Sequence, residues 1–381
     1  MTTPLLAEPF NPVFQLDPYP SLAKLRLAGS LHRVPHPFLG EIWLTTHHRL
    51  VREVHSDPRW VKPIDDDDDG VASFDSPPPE HTRLRGLVQK AFTVRRIEQL
   101  RAWATEMTDG LLDRLAARGT VDLVTEYADA MPIEVIRKMA GLPPEYAAEL
   151  VELMQGFLGE ADLERQRLIF ERAEQYVAGV IESKRAAPGG DDLASDLIAV
   201  RDGSDRLTEP ELVKVLMTLL VNGAATTTNV IGTGALALLE NPDQYALLAA
   251  RPELTSSAVE EMLRYECPVG GIAWAAAADQ EFEGVRFGKG EILGTSLQAA
   301  NRDPAVFPDP DRFDITRAPN PHLTFSHGIH RCLGAELARM ELQVAIGALV
   351  RRFTRIGLAG RPRWRGGPAV RGLLELPVTL A

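Results

Sequence analysis

Cysteine is scarce in this chain, with Cys267 and Cys332 the only two in 381 residues. Two thiols do not build a disulfide framework, and nothing marks the chain as secreted, so no Cys267–Cys332 bridge is expected. Excess positive charge is also missing. The 41 Lys and Arg against 53 Asp and Glu leave a net charge of −12, which argues against a nucleic-acid binder. A clean membrane span is missing too. The most apolar long run, Leu212 to Leu239, is interrupted by Asn222, Asn229 and several threonines. Met1 to Leu16 is polar, proline-broken and short of charge, unlike a leader with a basic start and an apolar stretch. The expectation is a cytoplasmic protein with reduced cysteines. No GxGxxG follows a strand, and no Walker-type loop or serine-centred elbow occurs.

What is present is ordinary for a globular protein: 45% apolar and 25% charged residues. Asn11-Pro12 to Pro20 opens the chain, and Tyr19 to Ala28 reads as a short helix. Leu31 to Pro37 and Glu41 to Thr46 read as strands, and His47 to Ser56 as a helix stopped by Asp57-Pro58. Asp65 to Asp69 is an unbroken acidic run, a solvated loop or a lid. His81 and Arg85 are four residues apart, so on a helix they share a face and could clamp an anion; a solvated basic face is the alternative. Arg96 to Lys184 reads as helical, with breaks at Gly119-Thr120, Met131-Pro132 and Gly141 to Pro144, and a faint strand near Val121. Leu193 to Val200 is a further short helix.

Thr208-Glu-Pro-Glu211 has the form of a capping box. The helix it opens reaches Glu240 and stops at Asn241-Pro242, roughly 45 Å at 1.5 Å per residue. It is apolar on nearly every side, hence buried. Its centre, Asn222-Gly-Ala-Ala-Thr-Thr-Thr-Asn229, is rich in poor helix formers. Either something bulky approaches there, a local bulge forms, or small residues let another helix pack closely. Asp243 to Ala250 and Leu254 to Tyr265 are helices; Glu261 and Arg264 on the second would ordinarily be a surface salt bridge. Short strands with glycine turns follow at Ile272 to Ala277, Glu281 to Phe287 and Gly290 to Gly294, and again from Gly357 to Leu380. The reading is one mainly α body, residues 1–381, with a smaller β portion.

One loop stands out: Phe325-Ser-His-Gly-Ile-His-Arg-Cys332-Leu-Gly334. Glycines flank the cysteine, and Ala335 to Arg352 reads as a helix directly after it. A cysteine just before a helix N-terminus sits in positive potential, which favours the thiolate. Such a thiolate is a good haem ligand. Two other readings compete: a small buried hydrophobe, or zinc with His322, His327 and His330, although that spacing fits no common zinc pattern.

Five stretches then line up in order. They are Phe325 to Gly334, Glu261-Met-Leu-Arg264, the meander Phe307 to Arg317, Gly223 to Thr227, and Pro79 to Arg85. Together they resemble a bacterial class I cytochrome P-450 over residues 10 to 380. The resemblance implies a triangular helical body with a long central helix over haem b and a small β-rich lobe. It implies that Cys332 is the iron's thiolate ligand and that Phe325 packs beside it. His81, Arg85 and His330 would pair the haem propionates. Glu261 and Arg264 would be a buried pair tied to the meander. Ferredoxin and its NAD(P)H reductase are the implied partners, docking near Arg331 and Arg339. The substrate would be a small molecule, free or tethered to a carrier protein.

The resemblance is imperfect in three places. The family's central helix usually carries an acid before the threonine; here Ala225 follows Ala224, and only Thr226 is left to act in catalysis. A positioned acid or base typically contributes ~10²–10⁴-fold to a proton-transfer step. Trp274 stands where an arginine usually pairs a propionate, so it either walls the substrate pocket with Ala224, Ala225 and Ile272 or fills the arginine's space. Ser326 replaces a usual glycine. The expected function is a haem-thiolate monooxygenase acting on a bulky apolar molecule in secondary metabolism. Oxidative coupling, cyclisation or redox-neutral rearrangement on the same fold is a second reading, and a non-catalytic haem-containing ligand binder a third.

Overall fold

A computed structural model of the chain describes residues 14–63, 70–90, 92–159, 163–202, 207–365 and 370–381. The aspartate run Asp65 to Asp69 and the start of the opening segment lie outside the described residues. The helices are α1 (Tyr19–Ala28), α2 (His48–Val54), α3 (Glu80–Gln89), α4 (Val94–Ala116), α5 (Ala130–Ala140), α6 (Ala147–Gly159), α7 (Leu163–Ala186), α8 (Leu193–Asp202), α9 (Glu209–Glu240), α10 (Pro242–Ala250), α11 (Thr255–Tyr265), α12 (Leu297–Ala300) and α13 (Ala335–Arg352). The strands are β1 (His32–His36), β2 (Gly40–Thr45), β3 (Trp60–Val61), β4 (Thr120–Asp122), β5 (Gly271–Ala276), β6 (Gln280–Phe282), β7 (Val285–Phe287), β8 (Ile292–Ser296), β9 (Ile356–Leu358), β10 (Arg363–Trp364), β11 (Leu373–Glu375) and β12 (Pro377–Leu380). With 55% of residues helical, the mainly α reading holds.

By contacts the chain forms two compact units, neither continuous in sequence. The first holds residues 1–66, 233–332 and 362–374; the second holds 67–232, 333–361 and 375–381.

The first unit contains a five-stranded sheet in the order β1-β2-β8-β5-β3. Only the β2–β8 pair is parallel. Leu50, Val54, Trp60, Trp274, Phe282, Phe287 and Leu293 pack together against this sheet. β6 and β7 form the expected hairpin. The four-residue α12 has no counterpart in the sequence reading. Ser296 starts it, its hydroxyl accepting from Ala299 N at 3.2 Å.

In the second unit α4 packs on α13 and α5, and Tyr127 donates its hydroxyl to the carbonyl of Ala345 at 2.7 Å. The faint strand near Val121 is real: β4 pairs with β12, which pairs with β9. The break expected at Met131-Pro132 lies earlier. A π-helical turn at Val124–Ala128 ends before α5, and Pro132 sits in the first turn of α5, where its missing N–H goes unnoticed.

The capping box forms as read. Thr208 N donates to Glu211 Oε2 at 2.7 Å, and Glu211 N donates back to Thr208 Oγ1 at 3.4 Å. From there α9 runs unbroken through its threonine-rich centre. By length and composition α9 could cross a membrane, but 76% of its most apolar window is buried, as in the core helix of a globular fold.

Candidate functional site

In the first unit, the site begins with a charge that the fold has buried. Glu261 and Arg264 lie one turn apart on α11, both 0% exposed. Arg264 Nε donates to Glu261 Oε2 at 2.7 Å, and Nη2 to Oε1 at 2.8 Å. The remaining guanidinium N–H groups reach the carbonyls of Asn301 (3.0 Å), Pro310 (2.7 Å) and Arg312 (3.1 Å). Glu261 also accepts from Arg317 Nε at 3.2 Å, Asp314 N at 2.9 Å and Asn320 Nδ2 at 3.1 Å. A buried ion pair is tolerable only when its other donors and acceptors are satisfied. Here the meander residues do that, so the pair is not a surface bridge.

Asn301 carries this network into the cysteine loop. Its Oδ1 accepts from Leu323 N at 2.7 Å, and its Nδ2 donates to Thr324 Oγ1 at 2.8 Å. Thr324 then donates to the carbonyl of Leu263 at 2.7 Å. The loop closes on itself where Cys332 N donates to Phe325 O at 2.8 Å. Ser326 sits at φ +62°, in the left-handed region, and its hydroxyl lies 2.8 Å from His55 Nδ1. Gly328, at φ +71°, passes so close to α2's end that a Cβ would lie 2.0 Å from the His55 carbonyl oxygen. Gly334 has ordinary φ (−82°) and open space around it, so the fold itself demands only one of the two glycines.

The two cysteines differ. Cys267 is buried, and burial pushes its thiol up to about 12. Cys332 is exposed. Phe325 is buried near His322, with ring centroids 5.9 Å apart. His330 stands edge-on to Trp274 at 5.5 Å. Trp274 is 1% exposed and Ile272 half-buried, both on β5. Trp274 packs with Leu50, Val54 and Trp60 in the core of the first unit. Arg331 is exposed, and Arg339 pairs with Glu336 at 2.9 Å.

The second unit carries the other expected residues. His81 is buried on α3 and Arg85 half-buried one turn on. Four residues apart on α3, the two share one face; burial lowers the His81 pKa, and the Arg85 charge lowers it further. On α9, Ala224 and Ala225 are buried and Thr226 is half-buried. Ala225 offers only its carbonyl, which accepts from Asn229 Nδ2 at 2.9 Å. Thr228 Oγ1 donates to the carbonyl of Ala128 at 3.2 Å. Gly223 is explained by packing: a Cβ there would lie 2.9 Å from Ile136 Cδ1 on α5.

Sequence reasoning missed a buried acid. Glu341 on α13 is fully enclosed, and among the described residues neither carboxylate oxygen meets a donor in good hydrogen-bond geometry. Burial raises its pKa well above the carboxylate range, with the nearby Thr227 hydroxyl pulling slightly against that. It also missed His55 and Lys62, which come from segments far from the loop. No local pattern marks any of these three; the neighbours of each are distant in sequence.

These residues fit a haem. A ligand thiolate must be reachable, and Cys332 is the exposed thiol. Among the described residues, the buried Trp274 Nε1 has no hydrogen-bond acceptor, leaving a donor for a group such as a propionate. Among the described residues no three His, Cys, Asp or Glu side chains gather to hold a metal ion, which removes the zinc alternative.

Comparison with known proteins agrees. The family profile described as cytochrome P-450 matches residues 148–358. Cytochrome P-450 107B1 of Saccharopolyspora erythraea is 42% identical over 365 residues, covering 89% of each chain. Vitamin D(3) 25-hydroxylase of Pseudonocardia autotrophica is 40% identical, covering 97% of this chain and 96% of its own. The crystal structure of the myxobacterial cytochrome P-450 CYP267B1, solved with myristic acid, superposes with a TM-score of 0.91 at 36% identity, over 98% of this chain and 99% of that one. A fold of this kind, with a reachable thiol in a glycine-bearing loop, defines a haem-thiolate protein. The chain belongs to the cytochrome P-450 family. It is an oxidoreductase of the monooxygenase type, with haem iron held by a cysteine thiolate.

Proposed function

We propose that this enzyme hydroxylates or epoxidises a bulky, mostly apolar small molecule in secondary metabolism. Cys332 is the thiolate ligand, with Phe325 packed beside it, and His81, Arg85 and His330 hold the propionates. Relatives named as hydroxylases support the reaction class. When bound, the haem supplies the activation of dioxygen. The chain's own part is to bind and orient substrate and to hold protons. Thr226 holds a water by its hydroxyl. Residue 225 has no side-chain group to pass a proton, and Asn229 already occupies its carbonyl. That observation carries the reading of atypical proton delivery, in which water and a polar group on the substrate do the work of the missing acid.

Electrons come from a ferredoxin and its NAD(P)H reductase, docking near Arg331 and Arg339 in the cytoplasm. A neighbouring structure holds an acyl carrier protein ligated to hexadec-9Z-enoic acid, which supports a tethered substrate as one form of delivery. Product formed under dioxygen labelled in both oxygens tests the reaction. One labelled oxygen in the product is expected. An unlabelled product would instead indicate coupling, cyclisation or rearrangement, and a neighbouring structure is named for C–S bond formation. Haem reduction by ferredoxin without turnover on any candidate would indicate a non-catalytic binder. Ala225→Asp tests proton delivery: better coupling of electrons to product is expected, and no gain means protons bypass this position.

A further inference from the structure

In the first unit, Trp274 occupies the place where the resemblance puts a propionate-pairing arginine, and it brings no charge. We propose that Lys62 replaces that charge, and that its ammonium and the Trp274 indole N–H together hold one haem propionate carboxylate.

Strand register makes Lys62 a neighbour of Trp274. β3 runs antiparallel to β5, with Trp60 opposite Ala276 and Val61 opposite Ala275. The next residue, Lys62, therefore falls beside Trp274. Its Nζ lies 4.9 Å from the centroid of the Trp274 ring, in the range of a cation–π contact. The ring orients the ammonium beside the indole edge. The indole N–H is buried and has no acceptor among the described residues. An unmade buried donor is costly, so an acceptor is required of whatever binds there. His330, which the resemblance already sets against a propionate, meets the same ring at 5.5 Å.

His55, a second histidine at this ring besides His330, is excluded as the charge. Its ring centroid is 5.0 Å from that of Trp274. Thr295 donates its hydroxyl proton to the carbonyl of Ile272 at 2.9 Å, so it accepts from His55 Nε2–H at 2.8 Å. His55 Nδ1 then accepts from the Ser326 hydroxyl at 2.8 Å. Both ring nitrogens are used in a neutral imidazole. Burial, then the Lys62 charge, lower its pKa to about 3, in keeping with that assignment. Ser326 at the position of a usual glycine thus has a purpose: it fixes His55 as a neutral prop for Trp274 and leaves the charge to Lys62.

Haem retention tests the assignment without reference to turnover. Substrate-free ferric holoenzyme is mixed with excess apomyoglobin, and haem transfer is timed for Lys62→Gln, Lys62→Arg, Trp274→Phe and the pair Lys62→Gln with Trp274→Arg. Lys62→Gln is expected to lose haem roughly ten- to hundredfold faster, the scale of one charge-assisted hydrogen bond. Lys62→Arg stays near the parent rate, and Trp274→Phe falls between. Trp274→Arg added to Lys62→Gln restores retention, which a packing role for Lys62 would not produce. Removing a cation beside the haem also favours ferric iron, so the reduction potential of Lys62→Gln moves negative. Unchanged haem transfer and potential in Lys62→Gln would overturn the proposal. So would unchanged transfer with a weakened spin-state response to carboxylate-bearing compounds, since the pair would then serve a substrate carboxylate.

Discussion

Around α11 and the cysteine loop, charge is buried and answered by named partners: Glu261 accepts from three residues besides Arg264, and Arg264 donates to three carbonyls besides Glu261. Along the middle of α9 the chain does the reverse. Residues 223–225 are Gly-Ala-Ala, and the side chains there offer bulk so small that Ile136 reaches the helix backbone. The first region is specified by its own internal bonds, and its residues are those the family motif names. The second is specified by close packing of small residues, and it is where this chain departs from the motif. A ligand loop must be the same for every substrate; a helix centre facing chemistry is where a particular reaction leaves its mark.

Five changes would break or sharpen that contrast. Arg264→Ala should have the largest effect. It strands Glu261 without its main counter-charge and takes the side-chain donor from the carbonyls of Asn301 and Pro310, while Arg317 still reaches that of Arg312, for a loss of about 3–5 kcal/mol. Denaturant unfolding and haem content would show it, and a loss below 1 kcal/mol would mean that Arg317 carries the network alone. Gly328→Ala comes next. It combines a left-handed backbone with a clash at the His55 carbonyl, for about 2–3 kcal/mol. Gly334→Ala should be milder in folding, since no protein atom occupies its space, and the difference between the two is the informative number.

Thr226→Ala should leave stability nearly unchanged and lower product formed per NAD(P)H consumed by about tenfold, less than the ~10²–10⁴ of a group that transfers the proton directly. Unchanged coupling would remove Thr226 from the proton path. Glu341→Gln should be the smallest and of opposite sign. The folded state keeps this acid protonated after the unfolded chain has ionised, so the folded state binds more protons and stability falls as pH rises above the ordinary carboxylate range. Each tenfold difference in acidity between the two states is about 1.4 kcal/mol. Glutamine keeps the shape and cannot ionise, so the variant should match the parent near pH 4 and exceed it in thermal stability at pH 7. Equal stability at both pH values would mean that folding does not shift the acidity of this carboxyl.

Local signals were legible and distant ones were not. The capping box at Thr208 and the stop at Asn241-Pro242 placed α9, because both act within one turn. Ala335 to Arg352 was bounded correctly for the same reason. Pro132 misled because proline breaks a helix interior but suits a first turn, and only the π-helical turn before it shows which applies. Gly223 left three explanations open until Ile136, some ninety positions earlier, decided between them. His55, Lys62 and Glu341 carry no motif at all. Their surroundings come from β5, β8, the cysteine loop and α9, and no reading of neighbours along the chain assembles those.

The contrast between the two cysteines has a practical use. Cys267 is enclosed, its Sγ 3.3 Å from the carbonyl of Val269 and its thiol held up at about 12, so an alkylating reagent at neutral pH meets almost no thiolate there. Cys332 is exposed when no iron covers it. In native protein the number of labels per chain, read by mass, therefore counts molecules lacking cofactor. A preparation of this enzyme can be audited for occupancy molecule by molecule, with denaturation as the internal control that brings every chain to two labels.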